Sequence, residues 1–315
     1  MRFRLPYVFL AWFLLLAGIT LHAQDAPKPQ PAPALTKPNP APATTQETPA
    51  PAPTQKQEAV IPAGAERHFH AGAAFARDGN YDTAIAEYKQ AIKEYPDYFD
   101  AHFYLGALYL DRQGYADAVT EFRAAVNVRP ESADAHNNLG LALKHQGDLN
   151  GAVTEYQEAV RLNPKLASAQ NNLANVLYRQ RNYAAAVQHY REAIALQPKS
   201  AETHMNLGNV LDDAGHPDDA IVEYKEAIKL DPKNASAHYN LSVVYQKKKD
   251  MPAAIAELRE ASKLSPDWPT PHIMLTNLLK DTDPKAALDE CIVADGLTQD
   301  AKLHNECQEL QKKTR

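Results

Sequence analysis

The 315-residue chain has only two cysteines, Cys291 and Cys307, both near its C-terminal end. Two thiols are too few for the multi-bridge framework of a small secreted domain, and too few for a zinc finger. There is little excess charge either: 33 Lys and Arg stand against 39 Asp and Glu. A net charge of −6 argues against nucleic acid as a partner, because that binding needs a cationic face. Glycine is scarce, and none of it forms a phosphate-cradling loop. The zinc-protease helix and the nucleophile elbow are missing too. The reading is therefore of a chain without catalytic residues, cofactor or metal.

Long apolar runs are lacking except at the start. Arg2 and Arg4 precede an apolar stretch over residues 5–19, interrupted only by Pro6 and Gly18. Ala23 then offers a small residue for cleavage ahead of Gln24. This order predicts a secretory signal peptide over 1–23, with a short uncleaved membrane anchor as the alternative. Either way the remainder is expected to be exported, to a periplasm or beyond. Residues 24–62 hold eleven prolines among Ala, Thr, Gln and Lys. Such a segment buries too little apolar surface to offset its ordering entropy and reads as an extended tether.

From about residue 65 the chain is repetitive. Pro96, Pro130, Pro164, Pro198, Pro232 and Pro266 are spaced 34 residues apart without drift. A small residue recurs in the same phase at Gly72, Gly106, Gly140, Ala174, Gly208 and Ser242. So do Ala84, Ala118, Ala152, Ala186, Ala220 and Ala254, each followed four residues later by Tyr88, Phe122, Tyr156, Tyr190, Tyr224 or Leu258. Apolar residues three and four apart predict amphipathic helices, two per unit. Small residues let the pair approach closely, beside one large side chain. "DRQGYAD", "KHQGDLN" and "DDAGHPD" supply a polar, glycine-bearing turn between them. The proline ends the second helix, and Ser132, Ser200 and Asn234 stand where the next one needs an N-cap.

This pattern resembles the tetratricopeptide repeat. The resemblance implies an all-α solenoid, a right-handed superhelix of about seven helix–turn–helix units. They begin near 65, 99, 133, 167, 201, 235 and 269, and the seventh is one residue short in its turn. A polar capping helix over 301–315 would close the array. In this family the first helix of each unit lines the concave side. Counting the proline as position 32, that face carries positions 2, 5, 6, 9, 12 and 13.

Position 6 is Asn138, Asn172, Asn206 and Asn240 in four successive units. Asn137 and Asn171 flank this row at position 5, while Asn175, Asn209 and Asn277 extend it at position 9. An amide offers both donors and an acceptor, so the row can grip a peptide by its backbone. The groove is thus similar to that of the O-GlcNAc transferase superhelix, without any catalytic domain. The cationic clamp by which other members hold a C-terminal carboxylate is absent, since position 2 holds Glu66, Asp100, Asp134, Ser168, Glu202 and Ser236. Deeper in the groove Lys144, Arg179 and Lys247 face Asp212 and Asp213, a mixed charge that singles out no ligand.

Position 4 is histidine six times: His68, His102, His136, His204, His238 and His272. Rings on successive helices, about 8–10 Å apart, cannot converge on one metal, so they read as flat substitutes for the usual aromatic. Cys291 and Cys307 are read two ways, as a disulfide pinning the capping helix or as two buried thiols. The resulting expectation is a non-catalytic scaffold for protein or peptide partners, serving assembly of a bacterial envelope complex. The alternatives are a targeting subunit for a separately encoded enzyme, such as a glycosyltransferase, and a spacer that oligomerises through its ends.

Overall fold

The computed structural model describes residues 60–315. The expected leader, and all but the last residues of the expected tether, lie outside the described residues. Fifteen α-helices and no strand are found among the described residues. The first helices of the units are α1 (Ala63–Arg77), α3 (Phe99–Asp111), α5 (Ala133–Gln146), α7 (Ala167–Arg179), α9 (Ala201–Asp213), α11 (Ala235–Lys247) and α13 (Pro269–Leu279). Their partners are α2 (Tyr81–Glu94), α4 (Tyr115–Val128), α6 (Leu149–Leu162), α8 (Tyr183–Leu196), α10 (Pro217–Leu230), α12 (Met251–Leu264) and α14 (Pro284–Thr298), with α15 (Ala301–Lys313) at the end. Each helix packs on its chain neighbours, and α3, α5, α7, α9 and α11 also touch one another in succession. The second helices show no comparable contact, so the first helices form the inner side of the curve. This is an all-α solenoid.

The period sets the packing. Leu105, Leu139, Leu173, Leu207, Leu241 and Leu275 recur every 34 residues, and all are buried. Beside them Phe122, Tyr156, Tyr190, Tyr224 and Leu258 fill the gap between the two helices of a unit. The small residue opposite each ring is a steric requirement. A Cβ on Gly140 would lie 2.8 Å from the Tyr156 ring, and one on Gly208 would lie 2.8 Å from that of Tyr224. The alanines before the rings, from Ala84 to Ala254, have no exposure.

Local signals explain the ends of the helices. Tyr95, before Pro96, is extended at φ −140° and ψ 91°, because proline disfavours helical backbone in the residue that precedes it. Ser132 Oγ accepts from the Ala135 N–H at 3.2 Å, Ser200 Oγ from that of Thr203 at 3.2 Å, and Asn234 Oδ1 from that of Ala237 at 3.0 Å. The turn between the helices differs from its sequence reading. Residues 79, 113, 147, 181, 215 and 249 all adopt positive φ, again at a spacing of 34. Three are glycine, but the others are Gln113, Arg181 and Lys249 at φ 61–62°. In "DRQGYAD" the glycine is displaced by one: Gly114 sits at φ −80° as the residue before α4.

The C-terminal end is closed by α15. Leu303, Cys307 and Leu310, spaced four and three, are buried against Leu279, Ala287, Cys291 and Ala294, while the rest of the helix is polar. Of the two cysteine readings the structure takes the first: Cys291 and Cys307 are joined, with Cα atoms 5.6 Å apart.

Candidate binding groove

The six-fold histidine has a more specific role than an aromatic substitute. Each ring nitrogen Nδ1 meets a glutamate of the same unit's second helix: His68 with Glu87 at 2.6 Å, His102 with Glu121 at 2.7 Å and His136 with Glu155 at 2.6 Å. The series continues with His204 and Glu223 at 2.7 Å, His238 and Glu257 at 2.7 Å, and His272 and Glu290 at 2.5 Å. The other nitrogen, Nε2, faces the carbonyl of the preceding unit's proline in four of them: Pro96, Pro130, Pro198 and Pro266 at 2.9–3.3 Å. The joint therefore ties three segments together, across the boundary between units. In the fourth unit its parts are exchanged. Gln170 donates to the Pro164 carbonyl at 3.3 Å, and its Oε1 accepts from His189 Nδ1 at 2.7 Å. Among the described residues no group of His, Cys, Asp and Glu is arranged to hold a metal ion.

On the groove face the asparagines fall into three sets. Asn175 and Asn209 are spent on the fold: Tyr190 and Tyr224 donate their hydroxyls to them, each at 2.7 Å, from fifteen residues further on. That leaves only their Nδ2 groups for a ligand. Asn172 Nδ2 donates to Asn137 Oδ1 at 3.0 Å, and Asn240 Nδ2 donates to Asn209 Oδ1 at 2.9 Å, so these amides splice neighbouring first helices. Asn138 and Asn206 are half-buried and make no side-chain hydrogen bond among the described residues. Asn171 is half-buried with an enclosed Oδ1 that meets no partner, and Asn277 accepts only a long 3.5 Å contact from Lys280. A further orphan was not anticipated. The Tyr156 hydroxyl is enclosed without a partner, because Leu141 stands where the next two units place Asn175 and Asn209.

The groove charges sort similarly. Lys247 Nζ lies 2.6 Å from Asp212 Oδ2, and the Tyr178 hydroxyl donates to Asp213 Oδ2 at 2.6 Å. Lys247 is thus neutralised within the protein. Lys144 and Arg179 make no ion pair among the described residues. Burial and the neighbouring Arg179 push the Lys144 ammonium below its ordinary pKa. The inner face also changes character along the array. Its N-terminal end is aromatic, with half-exposed Tyr104 in contact with both Phe69 and Phe103, while amides dominate from Asn137 onward.

The profile described as "TPR repeat" matches residues 72–113, 107–147, 142–181, 175–215 and 213–249, and that described as "Tetratricopeptide repeat" matches 235–267. Together these cover more than half of the chain, which belongs to the tetratricopeptide-repeat family. Among solved structures it is similar to a MamA protein, with 25% identity and a TM-score of 0.51 over 55% of this chain and 94% of that one. PilF of Pseudomonas aeruginosa shares 24% identity, with a TM-score of 0.58 over 67% of this chain and 96% of its own. YrrB, described as a TPR protein with an unusual peptide-binding site, shares 18% identity with a TM-score of 0.51, over 60% and 97%. No curated protein sequence matches the chain. Fold and family together make it a protein-interaction scaffold.

Proposed function

We propose that the chain is a non-catalytic scaffold that holds extended segments of partner proteins in its inner groove, outside the cytoplasm. The observation that carries this reading is the state of Asn138 and Asn206. Both lie half-buried on the inner helices with unspent donors and acceptors, whereas Asn137, Asn172, Asn175, Asn209 and Asn240 each make a hydrogen bond within the fold. A polar group held in a concave surface without a protein partner is ready to bond a peptide backbone, whatever the ligand's side chains are. A peptide-binding site in YrrB gives the fold a precedent. The apolar segment at 5–19 behind Arg2 and Arg4 favours export, and that leader with its tether supports an assembly role at a bacterial envelope.

The test is co-purification of the full chain from its native host, compared with Asn138→Ala/Asn206→Ala. This pair leaves the helix-splicing amides and the tyrosine hydrogen bonds intact, so circular dichroism and thermal midpoint should not change. A captured protein that is lost with the double substitution, and whose fragments bind the purified chain, supports the reading. Capture that is indifferent to both substitutions removes it.

A further inference from the structure

Contacts between successive inner helices keep a fixed register. A residue at position 12 of one unit meets position 13 of the next, 35 residues on. Tyr178 donates to Asp213 at 2.6 Å in this way, and Asp212 meets Lys247 at 2.6 Å one step later. One step earlier the same spacing belongs to Lys144 and Arg179, and the Arg179 charge acts on the lysine. Two cations therefore occupy a slot that the next two steps fill with a hydrogen bond and an ion pair.

The surroundings leave this pair uncompensated. Burial lowers the Lys144 pKa and Arg179 lowers it further, while Glu202 opposes this without coming into ion-pair range. His145 feels the same field: burial first, then Lys144 and Arg179, hold its pKa down. The nearby acids of the groove cannot relieve the pair, because Asp212 and Asp213 are already engaged by Lys247 and Tyr178. An exposed like-charge contact would relax into water. Here Arg179 is exposed and solvated, but the lysine is half-buried on the inner face, so the cost of its uncompensated charge falls on Lys144.

We propose that Lys144 and Arg179 form a carboxylate-binding subsite, so that the groove selects peptides carrying an acidic group. This rests on the peptide-groove reading above and adds the ligand chemistry to it. A carboxylate between the two side chains supplies the missing negative charge, and the guanidinium can take it in a bidentate grip. The carboxylate comes from an aspartate or glutamate side chain or from the ligand's C-terminus.

The experiment uses the full chain and three pools of short labelled peptides, random except for a central Asp/Glu, Asn/Gln or Lys/Arg, each with a free or an amidated C-terminus. Fluorescence anisotropy should show the acidic pool binding about tenfold or more tighter than the amide pool. The preference should vanish in Lys144→Gln and in Lys144→Glu. The second variant should close an ion pair with Arg179, as Lys247 does with Asp212, so its thermal midpoint should rise while acidic binding falls. Preference that persists with amidated peptides identifies a side-chain carboxylate; preference seen only with free ends identifies the C-terminus. If all three pools bind alike and both variants are silent, the subsite is overturned and the groove stands. If no pool binds the unaltered chain, the groove reading falls and takes the subsite with it. A Lys144 variant that loses stability together with binding makes the lysine structural and overturns the proposal.

Discussion

His102 and Glu121 lie 2.7 Å apart between the two helices of the second unit, and the other nitrogen of the ring lies 2.9 Å from the Pro96 carbonyl. With an acceptor at each nitrogen, the doubly protonated ring is the form that satisfies both bonds. Burial alone would depress its pKa, but the Glu121 carboxylate and the Pro96 carbonyl outweigh this and raise it above the ordinary value. Linkage sets the sign for stability. A raised folded pKa contributes stability that is complete below the unfolded value of about 6.5. It is lost as pH rises through the folded value. Glu121→Gln should therefore destabilise by about 1–3 kcal/mol at mildly acidic pH and by progressively less at alkaline pH. Urea midpoints across that range check it, and a pH-independent difference would refute the charged joint.

Tyr156 and Tyr190 should respond oppositely to loss of the hydroxyl. Tyr190 donates to Asn175, so Tyr190→Phe removes a bond and leaves a buried acceptor unpaired, at a cost of about 1–2 kcal/mol. The Tyr156 hydroxyl is enclosed without a partner, and Tyr156→Phe should be neutral or stabilising. Leu141→Asn offers the alternative cure by restoring the acceptor of the following units. Equal losses in both phenylalanine variants would contradict this account.

The turn residues lend themselves to improvement. Gln113 holds φ 62° where Gly147 holds φ 98° one unit later. Left-handed backbone costs a residue with a side chain about 1 kcal/mol, partly offset by the greater freedom of glycine in the unfolded chain. Gln113→Gly should raise stability by several tenths of a kcal/mol, read from the thermal midpoint. A fall would mean that the side chain compensates locally.

Ala186 has no exposed surface and lies between the helices of the fourth unit. Ala186→Leu should overpack that contact and cost about 1–3 kcal/mol. An unchanged denaturation midpoint would show that the interior there is looser than its burial indicates.

The bond between Cys291 and Cys307 spans 16 residues and fastens α15 to α14. Closing a loop of that size restricts the unfolded chain by about 3 kcal/mol. Cys291→Ala/Cys307→Ala should therefore lower stability by about that amount. Hydrogen exchange in α15 should accelerate well before it does around Leu173, in the middle of the array.

Most of the architecture can be read from the sequence because a fixed period repeats each physical requirement many times. The prolines, buried alanines and ring positions each report the same unit six times, and the shortened seventh turn shows again in the closer His272–Glu290 spacing of 18 residues. The groove was less legible because identical residue types have different partners. Asn175 and Asn138 share a face, yet only one has a tyrosine hydroxyl above it. The histidine joints did leave a signal. A glutamate follows five of the histidines at a distance of 19 residues, and the fourth unit has Gln170 and His189 at that same distance. An exchange that preserves spacing marks a contacting pair. The αL turns left a misleading one, since Gly114 lies one residue beyond the strained position.

Repetition of one amide on successive inner helices also sets a metric for anything lying along them. Packed helices advance about 8–10 Å per step. A polyproline-type strand rises about 3.1 Å per residue with three residues per turn, so it covers one step per turn and presents the same face to each helix. A pleated strand rises about 3.3 Å per residue and alternates its faces, so at the same interval its orientation reverses from one helix to the next. Asn138, Asn172, Asn206 and Asn240 occupy one slot in each unit and are in step with a threefold screw, whereas the two left open, Asn138 and Asn206, stand two steps apart, where a pleat also returns to the same face.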